Sequence, residues 1–163
     1  MTIASVFNPN GQALHLPSDE GLMLVGPGDW YRFLVTSEQT GGMYTVMEAI
    51  VPPGGGPPPH IHRREDETFY VVEGHCDFVL GDERITAGVG DFVNVPRDTV
   101  HHFHNASDEL TRLIITFTPG GLENFFFDTL ERATSMDQTP PDNLDEVVAR
   151  YVEAAPKYGL EFV

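Results

Sequence analysis

From Leu22 to Pro119 the chain repeats one pattern: short apolar or alternating runs, each closed by glycine, proline or a polar turn. LMLV ends at the GPGD turn of 26–29, and WYRFLVTS alternates Tyr31, Phe33 and Val35 with Arg32 and Leu34. MYTVMEAIV follows the Gly41-Gly42 turn and stops at Pro52-Pro53, and a further strand ends at Gly74. HCDFVL, RITAGVGDFVNVP, the run after Arg97 and LTRLIITFTP continue the series, with a hairpin turn at Gly81-Asp82. Period-two alternation suits strands with one buried face, and strands recurring about every ten residues predict an all-β sandwich or barrel over 22–119. No helix is predicted before Pro119. Residues 1–21 form a leader in which Leu14 and Leu16 alternate, which predicts an added edge strand.

The period changes at Pro119-Gly120-Gly121. LENFFFDTLERA carries Leu122, Phe125, Phe126 and Leu130 near helical spacing, and LDEVVARYVEAAPKYG carries Leu144, Val147, Val148, Tyr151 and Val152. Pro156 and Gly159 mark the end of the second helix. Residues 120–163 therefore read as a helical extension whose stripes cover the barrel or a neighbouring subunit, which predicts a homodimer. A length of 163 residues suits one domain.

Composition narrows the function. Nine basic against twenty-five acidic side chains give a formal charge of −16, which repels phosphate backbones and anionic lipid and excludes nucleic acid as the expected partner. No run approaches the ~20 apolar residues of a membrane span, and the single Cys76 reads as a small buried hydrophobe. A cytoplasmic protein is the expectation.

The candidate chemistry lies in GGGPPPHIHRREDETFYVVEG, residues 54–74. His60 and His62, two apart on a strand, face the same side and can share one ligand. A turn at Arg63-Arg64-Glu65-Asp66 is expected to fold the chain back as a hairpin that brings Glu67 to the same point, with Glu65 and Asp66 solvated and paired with the arginines. The fourth candidate is His101 in GDFVNVPRDTVHHFHN, residues 90–105, where Phe103 and Asn105 share its face while His102 and His104 point away. His15 and His75 lie outside this pattern.

The spacings Gly54-x5-His60-x-His62-x4-Glu67-x6-Gly74 and Gly90-x5-Pro96-x-Asp98-x2-His101-x3-Asn105 resemble the two cupin motifs, with Asp98 where the family usually has glycine. Asp tolerates the left-handed turn that such a glycine serves. Weaker similarity in TPGGLENFF and YGLEF points to small cupins related to bacterial quercetin 2,3-dioxygenases. The resemblance implies a cupin (jelly-roll) β-barrel and a divalent transition metal, one of Fe, Mn, Ni, Co, Cu or Zn, held by His60, His62, Glu67 and His101. It implies dioxygenase activity on a flavonol or similar enolisable aromatic substrate with O2, Glu67 serving as general base. Phe33, Tyr44, Met47, Phe69, Phe103 and Phe117 are the expected walls of the substrate pocket. The alternatives are a small-molecule sensor or carrier without turnover, and a metal-dependent isomerase or decarboxylase, for which Arg32 and Arg112 would supply positive charge.

Overall fold

Two antiparallel sheets face one another across the residues that the alternation assigns to one side. The computed structural model describes residues 13–135, 138 and 143–163. The strands are β1 (Leu22–Val25), β2 (Trp30–Val35), β3 (Thr45–Val51), β4 (His60–His62), β5 (Asp66–Glu73), β6 (His75–Leu80), β7 (Glu83–Gly88), β8 (Phe92–Val95), β9 (His101–His104), β10 (Thr111–Thr118), β11 (Glu131–Arg132) and β12 (Leu160–Phe162). The helices are α1 (Ser37–Thr40), α2 (Glu123–Thr129) and α3 (Leu144–Ala154), and a 3-10 turn spans Ala155–Tyr158. The larger sheet runs β11-β1-β2-β3-β10-β5-β8 and the smaller β12-β4-β9-β6-β7. This is an all-β jelly roll with few short helices.

Inward residues form rows across the larger sheet: Phe33, Met47, Ile115 and Phe69 share one row, and Tyr31, Ala49, Leu113 and Val71 the next. Each is buried, as are Phe78 and Phe103 on the facing sheet. Cys76 is fully buried, and burial foremost pushes its thiol up to about 12.

Four expectations change. Residues 13–20 form no strand, because β11 already occupies the edge of β1, pairing Leu24 with Arg132 and Val25 with Glu131; the rest of the leader lies outside the described residues apart from Gly21. The one-turn helix α1 was invisible because four residues carry no period; the Gln39 side chain accepts the Thr36 amide at 2.8 Å and Gly41 closes the turn in the left-handed region. The extension is not wholly helical, since β12 adds a strand to the smaller sheet. Of the second stripe Val147 is buried and Tyr151 half-buried, while Leu144, Val148 and Val152 are exposed.

One carboxylate ties the extension to the barrel. Glu123 is buried and accepts the Ser37 amide (2.6 Å) and hydroxyl, the Thr45 hydroxyl (2.6 Å) and the Gly121 amide (2.8 Å). It thereby anchors the start of α2 to α1 and β3. A buried carboxylate is tolerable only when its lone pairs are used in this way.

Candidate metal centre

The two motif segments do not form hairpins. β4 belongs to the smaller sheet and β5 to the larger, so residues 63–65 turn a corner between sheets; residues 96–100 do the same between β8 and β9. A sheet-to-sheet corner places Glu67 opposite the histidines rather than beside them. In the smaller sheet His60 pairs directly with His101, and their ring centroids lie 4.3 Å apart. The two corners are tied together: the Asp98 amide donates to the His62 carbonyl at 2.8 Å, and Arg63 bonds Asp98 Oδ1 (2.9 Å) and Glu161 Oε2 (2.7 Å). Asp98 adopts φ 66°, the left-handed conformation for which it stands in place of glycine. Gly56 needs space as well as a positive φ of 129°: a Cβ there would sit 2.1 Å from the Phe103 carbonyl oxygen of β9.

Glu65 is buried rather than solvated, and it is Asp66 that pairs outward, accepting from Arg97 Nε at 3.0 Å. Burial raises the Glu65 carboxyl above its ordinary value. Arg63 therefore pairs with Asp98 and Glu161, not with the acids of its own turn.

All four expected ligands converge. His60, His62, Glu67 and His101 are buried, and one donor atom from each lies within 4.8 Å of the others. Donors held about 2.0–2.2 Å from one ion stand at most ~4.4 Å apart, so a small contraction suffices to bind one. Glu67 Oε2 lies 2.8 Å from His101 Nε2 and 3.1 Å from His62 Nε2. His60 Nδ1 and His101 Nδ1 lie 2.8 and 2.9 Å from the carbonyls of Pro58 and Thr99. A carbonyl only accepts, so both rings carry their proton on Nδ1 and, when neutral, turn an Nε2 lone pair inward, as metal-ligating histidines do. Among the described residues the buried His62 Nδ1 has no hydrogen-bond partner, and its Nε2 faces only the Glu67 carboxylate. An imidazole this poorly partnered beside a carboxylate fits a cation.

Electrostatics agree with that fit. Burial foremost, with the neighbouring imidazoles, lowers His60 to about 3, keeping it neutral. Burial would raise Glu67, but His62 and His101 outweigh it and hold the carboxyl far below its usual range. His101 is also buried, yet its hydrogen bond to Glu67 and that carboxylate's charge lift it above the ordinary imidazole value. A divalent ion would replace these mutual compensations with one strong charge.

Behind the ligands lies a cavity of about 60 Å³ lined by Tyr31, Met47, Pro57, Ile115, Phe117 and Phe103 from the barrel and by Leu122, Phe125, Phe126, Tyr151, Leu160 and Phe162 from the extension. Of the expected walls, Met47, Phe103 and Phe117 line it. Phe33 and Phe69 are buried in the core away from the lining, and Tyr44 is half-exposed outside it. Arg32 and Arg112 do not line it either; both pair with Glu48, at 3.1 and 2.8 Å. The extension's contribution was hidden in a helical stripe and a three-residue strand.

The far polar groups were missed altogether. Asp29 is buried, its Oδ2 accepts the Tyr31 hydroxyl at 3.3 Å, and burial foremost raises its carboxyl to about 7. Among the described residues the buried Tyr151 hydroxyl has no partner, a condition that costs about 1–3 kcal/mol.

This jelly roll with an inward His/His/Glu/His set is a cupin: the family model described as "Cupin domain" matches residues 47–117. The chain resembles a quercetin 2,3-dioxygenase of Bacillus subtilis (strain 168), 32% identical over 111 residues, 68% of this chain but 33% of that protein. It thus spans about a third of that relative's length. Among solved structures, KdgF from a Halomonas species superposes with a TM-score of 0.60 at 20% identity, covering 69% of this chain and 98% of that one. A predicted oxalate decarboxylase from Thermotoga maritima superposes at 0.61 with 16% identity, covering 65% and 99%. At these identities the superpositions establish the shared fold.

Proposed function

We propose that the protein is a metal-dependent dioxygenase that acts on an enolisable hydroxy-ketone, as its quercetinase-like sequence suggests. The observation that carries this reading is the joining of three inward imidazoles and one carboxylate to an apolar, aromatic-walled cavity. Among the described residues no Lys or Arg lines that cavity, which disfavours oxalate and other small polyanions despite the shared fold. Pockets for drug-sized ligands measure about 300–1,000 Å³, so a cavity this small favours a hydroxy-ketone smaller than a flavonol.

Bound by His60, His62, Glu67 and His101, a divalent ion would supply the positive charge that stabilises a deprotonated substrate hydroxyl and brings O2 beside it. Glu67 is the base that takes the hydroxyl proton and returns it to the product. Both atoms of O2 enter the product as one carbon–carbon bond is cleaved, so no external reductant is consumed. The apolar walls exclude water from the reactive carbon.

The test is elemental analysis of protein purified without chelator, followed by oxygen uptake with small hydroxy-ketones after reconstitution. Uptake with at least one of Fe, Mn, Co, Ni or Cu is expected, and its absence with all five would sink the dioxygenase reading. The small cavity favours one other reading, a carrier or sensor, which predicts a saturable melting shift without oxygen consumption. We also propose a homodimer that covers Leu144, Val148 and Val152, which light scattering showing only an 18 kDa species would reject.

A further inference from the structure

The cavity has a second polar end that the metal chemistry leaves unused. Tyr31 and Tyr151 both line the cavity, and they converge over Gly26, where a Cβ would lie 3.2 Å from Tyr31 Cε2 and 3.7 Å from Tyr151 Oη. Along the larger sheet Tyr31 is three strands from Glu67, since β2, β3, β10 and β5 are successive neighbours, and it stands two inward-facing rows away. The tyrosine pair thus marks the side of the cavity remote from Glu67.

The hydrogen-bonding states of these two hydroxyls are complementary. Tyr31 gives its proton to Asp29 Oδ2 at 3.3 Å, which leaves its oxygen as an acceptor. Tyr151 Oη is buried with its donor and its lone pairs unused. A ligand hydroxyl can accept from Tyr151 and donate to Tyr31 at the same time. Burial foremost raises both phenols above their ordinary value and Asp29 to about 7, so the phenols stay neutral and any charge at this end is the partly ionised Asp29 carboxyl. A carboxylate would meet Asp29 behind Tyr31, and a purely apolar group would leave Tyr151 unsatisfied.

We propose that Tyr151, with Tyr31 held by Asp29, is a specificity-determining site for an uncharged hydroxyl at the end of the substrate remote from the metal. The inference rests on the metal-centred reading above and narrows its substrate class to a small hydroxy-ketone with a distal hydroxyl. A cavity of about 60 Å³ has room for only about four to six water-sized groups, so the substrate is at most a single ring, its chelating edge lying among the metal-binding side chains. Asp29 is a positioning residue, acting through the Tyr31 proton.

Two hydroxypyranones test this directly. Kojic acid carries a hydroxymethyl group across the ring from its chelating hydroxyl, and allomaltol has a methyl group at that position, so both chelate a metal alike. Calorimetric titration of metal-loaded protein is expected to show kojic acid binding about tenfold more tightly. Tyr151→Phe should bring the two affinities within about twofold while leaving allomaltol and metal affinity unchanged. Equal wild-type affinities, or binding of neither probe to metal-loaded protein, would overturn the inference while leaving the metal centre standing. A protein that takes up no metal would overturn the underlying reading and this inference with it. The wild-type comparison decides the matter even where a variant fails to fold.

Discussion

The two ends of the cavity are built differently. At the metal end, strands from both sheets supply four polar groups, and backbone carbonyls fix the tautomers of His60 and His101. At the tyrosine end, a strand, the turn before it and α3 meet, and one hydroxyl stays without a partner. The first arrangement brings four polar side chains to one point, and a bound cation would replace the Glu67–His101 hydrogen bond. The second is incomplete by one hydrogen-bonding group, which is how a site built for part of a ligand looks when its cost is read from the protein alone.

The largest effect should come from breaking the metal end. His101→Ala and His62→Ala are each expected to weaken metal binding by more than about 100-fold, beyond what loss of an outer-sphere partner costs. Elemental analysis after dialysis measures it, and equal losses are expected because the ligands come from both corners. Retention of metal by either variant would mean that His60 and Glu67 hold the ion without that ring.

Glu123→Ala tests the tie between extension and barrel. It removes the acceptor for Ser37, Thr45 and the Gly121 amide, and a loss of about 3–5 kcal/mol in urea unfolding is expected. Loss of a few tenths of a kcal/mol would show that α2 is held by its aromatic packing instead.

Asp29 sets a pH signature for the far end. Its folded value, near 7, lies above the ordinary 3.8, so the folded state holds the proton more tightly than the unfolded chain. The associated stability is complete below pH ~4 and is lost as pH rises through 7, by about 4 kcal/mol. Comparing wild type with Asp29→Asn by thermal melting across that window isolates the contribution, and a parallel pH dependence in the two proteins would show that Asp29 is not its source. The smallest effect belongs to Tyr151→Phe, which removes an unsatisfied hydroxyl and should raise stability by about 1–3 kcal/mol. A clear destabilisation in the same melts would show that the hydroxyl already has a partner.

The His/Glu cluster was legible because cupin-like spacing compresses its four side chains into residues 60–101, and period two says which side chains share a face. The same alternation placed Phe103 and Asn105 beside His101, and both are buried. What it could not show was that each motif turns a corner, since a corner between sheets and a hairpin within one use the same Gly, Pro and Asp signals. Glu65 misled for a related reason: a charged residue in a turn reads as solvated until the turn proves to lie between layers. The tyrosine end was illegible because Asp29 resembles a turn residue, Tyr31 a core strand position and Tyr151 part of a helical stripe. Only tertiary folding brings residues so distant in sequence together.

The pairing of β12 with β4 couples remote parts of the chain in time as well as space. Leu160 lies opposite His62, Phe162 opposite His60, and the Val163 amide donates to the Pro59 carbonyl at 3.1 Å. β4 is three residues long, so little but these neighbours and His101 prevents it from fraying. An ion gripping His60, His62 and His101 would clamp β4 against β9 and slow the breathing of the strand on its other side. Amide exchange at residues 160–163 then becomes a clock for ion residence, readable without any substrate.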